Sequence, residues 1–405
     1  MVRNNTTRRR FLAGTAAGTV GTLFVGGVGA SRAPRRIVGV TSPEAAADAR
    51  DRAESVRRTL DFGGIGLAVA GRFSDRAVEE LRRRRDVRYV EADGTMRAIG
   101  DRPGANAPPW EGGGGSSTAA ETLPYGIDRV DAEVAHANGY TGAGADVAVI
   151  DTGIDSDHPD LAANLGEGRA FVKCRGGSCN VPWDDDNGHG THCAGTADAI
   201  DNEEGVVGVS TEATLHAVKV LDRRGSGSFS DVAAGIEYTA DQGWDVASMS
   251  LGASSGSQTV EDACTYAYGK GVLLVAAAGN SGPCTDCVGY PAAYPEVIAV
   301  SATDSTDALA SFSSTGPEVE LAAPGADVLS TVPGGGYDTL SGTSMACPHV
   351  AGAGGQLMAR GYANAEARDR LAATAEDVGL SENEQGNGLL DVAAALGLNS
   401  DDDLN

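Results

Sequence analysis

The sequence predicts an α/β protein of three layers, a mainly parallel central sheet flanked by helices, preceded by a small ferredoxin-like α+β domain. Three observations predict it. From about residue 120, short apolar runs alternate with helical stretches. Those runs are apolar at consecutive positions, as in strands covered on both faces. Residues 31–100 show a strand–helix rhythm of their own, ended by a Pro/Gly/Ser-rich break. The 405 residues allow one large domain and a smaller one, and abundant Gly (57) with few aromatics (5%) suits an α/β fold with many tight turns.

Residues 1–30 read as an export signal. Arg8 and Arg9 are adjacent, Phe11 and Leu12 follow, and a weakly apolar stretch runs to Val28-Gly29-Ala30, where small residues offer a cleavage site. The twin arginines resemble a Tat-type signal peptide, implying a secreted, extracellular protein. The stretch is short and Gly-rich for a membrane anchor, and no other segment is long and apolar enough to span. In residues 31–100, "IVGV", a helical stretch from Pro43 to about Leu60, "GIGLAVAG", a helix near Asp75–Arg84 and "VRYVEAD" give β-α-β-α-β. Residues 101–119 read as an exposed linker open to cleavage. In residues 120–405, "ADVAVID", "HAVKVLD", "WDVASMSLG", "GVLLVAAAGN" and "EVIAVSA" are strand candidates, with helices at "SDVAAGIEYTADQG" and "TVEDACTYAYGKG" between them. Ligands of parallel sheets bind beyond the carboxyl ends of the strands. Asp151, Ser250 and Asn280 lie there.

The charge is split. Residues 1–119 hold 20 basic and 13 acidic residues, whereas 120–405 hold 11 and 43, with three Lys among the 11. The net values are +7 and −32. The second block reads as a surface built for molar salt, where screening removes the self-repulsion. It excludes nucleic acid as a partner, because phosphates would be repelled. Seven Cys leave at least one unpaired. Cys174/Cys179 and Cys284/Cys287 are close pairs that fit disulfides in an exported protein, with zinc ligation as the competing reading.

Three short stretches carry chemistry. "VAVIDTGID" puts Asp151 at a strand end, "NGHGTHCAG" puts His189 in a Gly-rich turn entering a helix, and "SGTSMACPHVAG" puts Ser344 at a helix start. Pro348 belongs in a first turn, so that helix is expected to begin near Thr343 or Ser344. There the hydroxyl is either a helix cap or a nucleophile. Serine acyl transfer needs a hydroxyl, an imidazole and a carboxylate, and the three stretches supply one of each. The residues alone do not choose between His189 and His192.

With their flanks, from "LPYGIDRV" (123–130) to "GNGLLDVAAAL" (386–396), these motifs closely resemble the subtilisin-like serine peptidases, specifically the halolysin-like and proteinase K-like members. The resemblance implies a subtilisin-like fold and an endopeptidase acting on polypeptides through an acyl-enzyme. Asp151 would orient His189, the general base, and Ser344 would be the nucleophile, with His192 structural. Asn280 and the Ser344 N–H would form the oxyanion hole. Ser250, Leu251 and Gly252 on one side, and Gly227 on the other, would pair with the substrate backbone. Gly289 would floor an open first pocket suited to a large apolar residue. Phe229 and Leu221 either line an outer apolar pocket or belong to the core.

By the same resemblance calcium is a structural cofactor, with no organic cofactor. Asp160, Asn202 and Glu121 would form one site, with Glu121 standing where the family has an amide. Glu320, with the carbonyls of Pro295 and Val297, would form a second. Cys193 and Cys347 are read as buried spectators, a disulfide between them being conceivable. Residues 31–100 resemble the family's inhibitory propeptide domain, and the resemblance implies that 31–119 serves as an intramolecular chaperone and inhibitor whose basic charge matches the acidic body. A monomer without a stable membrane anchor is expected.

Overall fold

The computed structural model describes residues 33–100, 121–177 and 179–400. The signal stretch and the linker fall outside the described residues. In the N-terminal domain β1 (Arg35–Val40), α1 (Pro43–Arg52), β2 (Ser55–Asp61), β3 (Leu67–Arg72), α2 (Asp75–Arg82) and β4 (Val87–Ala92) follow in turn. The strands form an antiparallel sheet in the order β2-β3-β1-β4. Both helices start from serine caps: Ser42 accepts from Ala45 N–H and Ser74 from Ala77 N–H, each at 3.2 Å.

One expectation is corrected here. The helix expected to reach Leu60 stops at Arg52, and Ser55–Asp61 is a strand. Val56 and Thr59 are β-branched, and pairing with β3 on both sides of an irregularity at Arg57 overrides the helix preference of the two arginines. The topology is therefore β-α-β-β-α-β.

A further strand, β5 (Thr95–Ala98), leaves this domain. The large domain then runs α3 (Tyr125–Arg129), α4 (Ala132–Ala137), β6 (Asp146–Asp151), β7 (Arg169–Ala170), α5 (His189–Asp198), β8 (Thr214–Lys219), β9 (Ser226–Ser228), α6 (Phe229–Gln242), β10 (Val246–Met249), β11 (Leu251–Gly252), α7 (Gln258–Gly269), β12 (Leu273–Ala277), β13 (Val297–Thr303) and β14 (Val319–Pro324). A hairpin of β15 (Val328–Val332) and β16 (Gly336–Leu340) leads into α8 (Thr343–Ala359) and α9 (Asn364–Thr374).

Seven strands form one sheet, β14-β13-β12-β10-β6-β8-β7, with every pairing parallel. Strand β6 shows why three layers result. Val147 and Val149 pack on one side with Val350 of α8 and Cys193 of α5, whereas Ala148 and Ile150 pack on the other with Val232 and Ile236 of α6. Consecutive apolar residues thus serve two cores. At the carboxyl ends, Asp151 closes β6, Ser250 follows β10 and Asn280 lies just beyond β12.

The N-terminal sheet lies on α6 and α7. Arg57 and Arg58 both pair with the buried Asp231, and Arg88 and Tyr89 donate to Asp262. Burial pushes the Asp231 carboxyl up, but the two arginines outweigh it and hold it below the usual range. Two acidic residues at the end of β4 cap the helices beneath. Asp93 accepts from Ser230 N–H and hydroxyl at α6, and Glu91 from Gln258 and Thr259 N–H at α7. Helix N-termini favour negative charge at these places.

Candidate active site

Asp151 is fully buried, and its carboxylate accepts the N–H of Thr152 at 2.6 Å. Helix α5 opens on His189, whose Nδ1 lies 2.8 and 3.0 Å from the two oxygens of Asp151. The turn before it is pinned by Asp185, which accepts from the N–H groups of Asn187, Gly188 and Thr191. Burial acts to lower the His189 pKa. The Asp151 charge, the Cys193 thiol and the Nδ1–H bond outweigh it and hold the imidazole well above its ordinary value. His192, one turn along, sits against the carbonyls of Val328 and Asp338, and burial and the charge of His189 push it down to about 3. The two histidines of "HGTH" are thus told apart by partner: a carboxylate for one, backbone carbonyls for the other.

Ser344 lies in the first turn of α8, fully buried. Its Oγ donates to Ser250 C=O at 3.0 Å, and His189 Nε2 has no hydrogen-bond partner among the described residues. Helix α8 begins at Thr343, as expected, but the reason needs correction: the helix continues through Pro348, beyond its first turn. The missing N–H of Pro348 is the one that would have bonded the Ser344 carbonyl. That carbonyl instead accepts from Ser250 Oγ at 2.8 Å and Cys193 Sγ at 3.4 Å. The proline therefore frees a group that ties the serine turn to α5 and β10. Cys193 also lies 3.9 Å from His189 Nδ1, and ligand atoms of Asp151, His189 and Cys193 lie within 4.8 Å of one another.

Asn280 Oδ1 accepts from Thr343 N–H and Oγ1, both at 3.0 Å, which orients its amide nitrogen. A Cβ placed on Gly342 would meet that nitrogen at 3.0 Å and the Ile99 carbonyl oxygen at 3.1 Å. A side chain there would press on both groups.

The chain's own segment lies in the cleft. Strand β5 runs between β9 and β11 in a three-stranded antiparallel sheet. Met96 pairs with Gly227, Ala98 with Leu251 and Arg97 with Gly252. Ile99 N–H donates to Ser250 C=O at 3.1 Å. A Cβ on Gly252 would fall 2.7 Å from Ile99 Cδ1, and one on Gly100 would fall 3.3 Å from His189 Nε2. Residues 95–100 thus pair with both edges of the cleft and carry the Ile99–Gly100 peptide bond past the imidazole. Nothing local in the sequence announces this strand, because its partners are more than a hundred residues away.

The other predicted positions fall as follows. Phe229 and Leu221 are buried in one apolar cluster with Met96, and the Phe229 ring lies under Gly94. Gly289 N–H donates to Ala278 C=O beside the Asn280 turn. Asp160, Asn202 and Glu121 come together: Asn202 N–H donates to Glu121 Oε1 at 2.9 Å and its amide to Asp160 Oδ1 at 3.1 Å. Burial, with the nearby Asp201 charge, raises the Glu121 pKa. Glu320 does not offer an open site. The Arg368 guanidinium pairs with its carboxylate and also donates to Pro295 C=O at 2.8 Å, so this chain supplies its own cation there. Cys174–Cys179 and Cys284–Cys287 are disulfides, whereas Cys193, Cys264 and Cys347 are buried free thiols, so no bridge joins Cys193 to Cys347.

Known proteins match this architecture. The Subtilase family (Peptidase_S8) matches residues 142–388. Subtilisin amylosacchariticus of Bacillus subtilis subsp. amylosacchariticus is 43% identical over 332 residues, 81% of this chain and 80% of that one. Subtilisin of Bacillus pumilus is 46% identical over 280 residues, covering 68% of this chain and 99% of that one. A thermostable alkaline protease of Halalkalibacterium halodurans is 47% identical over 280 residues, covering 69% and 74%. With this fold and these relatives, the chain belongs to the subtilase family and is a subtilisin-like serine-type endopeptidase.

Proposed function

We propose that the chain is the precursor of a secreted, salt-adapted endopeptidase that cuts itself at Ile99–Gly100 and then cleaves other polypeptides broadly, with a large apolar residue before the scissile bond. The observation that carries this reading is β5 paired between β9 and β11, with Ile99 and Gly100 following it to the side of His189. Ser344 Oγ turns from Ser250 C=O towards His189 Nε2 and attacks the Ile99 carbonyl carbon as the imidazole takes its proton. The negative oxygen is met by Asn280 Nδ2 and the Ser344 N–H. His189 returns the proton to the departing Gly100 nitrogen, and water then releases the acyl group. Asp151 holds the proton on Nδ1 and stabilises the imidazolium. On other substrates the same two edge strands supply main-chain pairing with little sequence preference. Residues 33–99 act first as a folding template and then as an inhibitor, held by the Arg–Asp pairs on α6 and α7.

Mass spectrometry of briefly incubated precursor is expected to find the first new N-terminus at Gly100. Ile99→Asp, which puts a carboxylate against an apolar pocket, is expected to slow that cut at least about 100-fold. A first product starting elsewhere, with Ile99–Gly100 intact, would refute the bond assignment.

The export signal, the monomeric state and the kinship with halolysin-like enzymes are part of the same proposal. They rest on the twin arginines and on the net charge of −32 in residues 120–405. Calcium belongs at Glu121, Asp160 and Asn202. Carboxylate and amide oxygens are hard ligands, and a cation would relieve the charge crowding at Glu121. Gly205 lets its loop close on Asp160, where a Cβ would run into a carboxylate oxygen. Calcium at 100 times its Kd stabilises by about 2.7 kcal/mol. Chelation is therefore expected to lower Tm by ~5–10 °C by calorimetry, and Asp160→Ala to abolish the response.

A further inference from the structure

Lys219 is the last residue of β8 and the register partner of Asp151 on the neighbouring strand. It is fully buried at the carboxyl end of the strand. Burying an ammonium is costly unless it is paired and hydrogen-bonded. Its Nζ has two partners. One is the backbone carbonyl of Thr152, the residue after Asp151. The other is Asp186 Oδ1 at 2.7 Å, three residues before His189, with 6% of that carboxylate side chain exposed. The second oxygen of Asp186 accepts the N–H of Arg175, inside the Cys174–Cys179 disulfide loop.

Thr152 is fastened from every side. Its N–H holds the Asp151 carboxylate, its Oγ1 accepts Gly190 N–H at 2.8 Å, and its C=O meets Lys219. One ammonium therefore ties the turn that leaves Asp151 to the turn that enters His189. We propose that the buried Lys219–Asp186 pair is a positioning device for the proton relay, setting the Asp151–His189 geometry without touching substrate. This rests on the reading of Asp151 and His189 as that relay, which Ser344→Ala and Asp151→Asn test separately. An error well under 1 Å in the relative placement of two such groups is costly, since a 1 Å misplacement can lower rate about 100-fold.

The test uses mature enzyme made from full-length chains carrying Asp186→Asn, Lys219→Met, Lys219→Arg or the double change Asp186→Asn/Lys219→Met. On a chromogenic peptide, each of Asp186→Asn and Lys219→Met is expected to lower kcat at least about 10-fold with KM within twofold, because substrate contacts are untouched. Their acid limbs are expected to move in opposite directions. Losing the cation beside the relay favours imidazolium and moves the midpoint up, whereas losing the anion moves it down. The double change leaves no unpaired charge and is expected to recover most of the kcat and the wild-type midpoint, and Lys219→Arg to keep the midpoint. In full-length Ser344→Ala precursor, the downfield proton resonance of His189 Nδ1–H is expected to shift with Asp186→Asn, a readout independent of turnover.

Folded Asp186→Asn with wild-type kcat, midpoint and resonance overturns the proposal. So does a double variant no better than the worse single one. If Asp186→Asn fails to fold and the double variant fails with it, the pair is structural only, and the proposal falls.

Discussion

Replacing Ser344 by Ala is expected to leave the chain uncut and inert. Wild type should clear casein, more strongly in molar salt than in dilute buffer, and should lose its N-terminal domain. The variant should do neither and should run at the precursor's mass. The expected fall in kcat is on the order of 10⁶, the loss measured when the serine is removed from subtilisin, a relative of this chain. The structure explains why the loss is so large while folding is spared. Ser344 Oγ donates to Ser250 C=O, and the turn is held by the Ser344 carbonyl, through Ser250 Oγ and Cys193 Sγ. Alanine removes the oxygen proposed to attack and leaves those ties in place. The Arg57, Arg58 and Arg88 contacts to Asp231 and Asp262 are equally untouched, so the variant should keep its N-terminal domain bound. Casein clearing by the purified variant, or normal self-cutting, would sink the assignment of Ser344. Clearing by wild type that peaks in dilute buffer would sink the salt adaptation alone.

How much of this was legible beforehand depends on how local each signal is. The strand ending in Asp151 was readable because "ADVAVID" is apolar at consecutive positions and both sheet faces are covered. The start of α8 near Thr343 was readable, but its course through Pro348 was not, since the replacement partners of the Ser344 carbonyl come from α5 and from Ser250 just after β10. Ser344 as cap or nucleophile could not be decided from residue type, and His189 and His192 differ only in what other segments bring to them. The strand Ser55–Asp61 was hidden by two adjacent arginines whose partner, Asp231, lies more than 170 positions away. Glu320 looked like an open carboxylate because Arg368 is 48 positions distant. Local patterns thus reveal elements and strand ends. Long-range pairings decide which polar residues have partners, and the chemistry of this site is made of those pairings.

The second large effect tests the carboxylate through pH. Asp151→Asn is expected to lower kcat by about 10⁴, the size seen for the same change in a serine protease of another fold. Asparagine keeps the shape but lets the amide donate, which favours the wrong tautomer of His189. The sign of the accompanying pH effect follows from what acts on the imidazole. Burial lowers its pKa, and the Asp151 charge, the Cys193 thiol and the Nδ1–H bond raise it by more. The proposed base works only when neutral, so wild-type kcat/KM is expected to fall as pH drops through the raised value. In the Asp151→Asn variant the largest raising influence is gone while burial remains, so the residual activity should keep its plateau to lower pH. Stability moves with the same proton. A His pKa raised by folding stabilises fully below its unfolded value near 6.5 and ceases to do so as pH rises through the folded one. In Ser344→Ala precursor, where self-digestion is absent, the Tm deficit caused by Asp151→Asn should therefore be larger near pH 6 than at alkaline pH. An acid limb that stays put or moves upward, together with a Tm deficit that grows with pH, would mean that Asp151 does not sustain the charge on His189, and the relay would need another carboxylate.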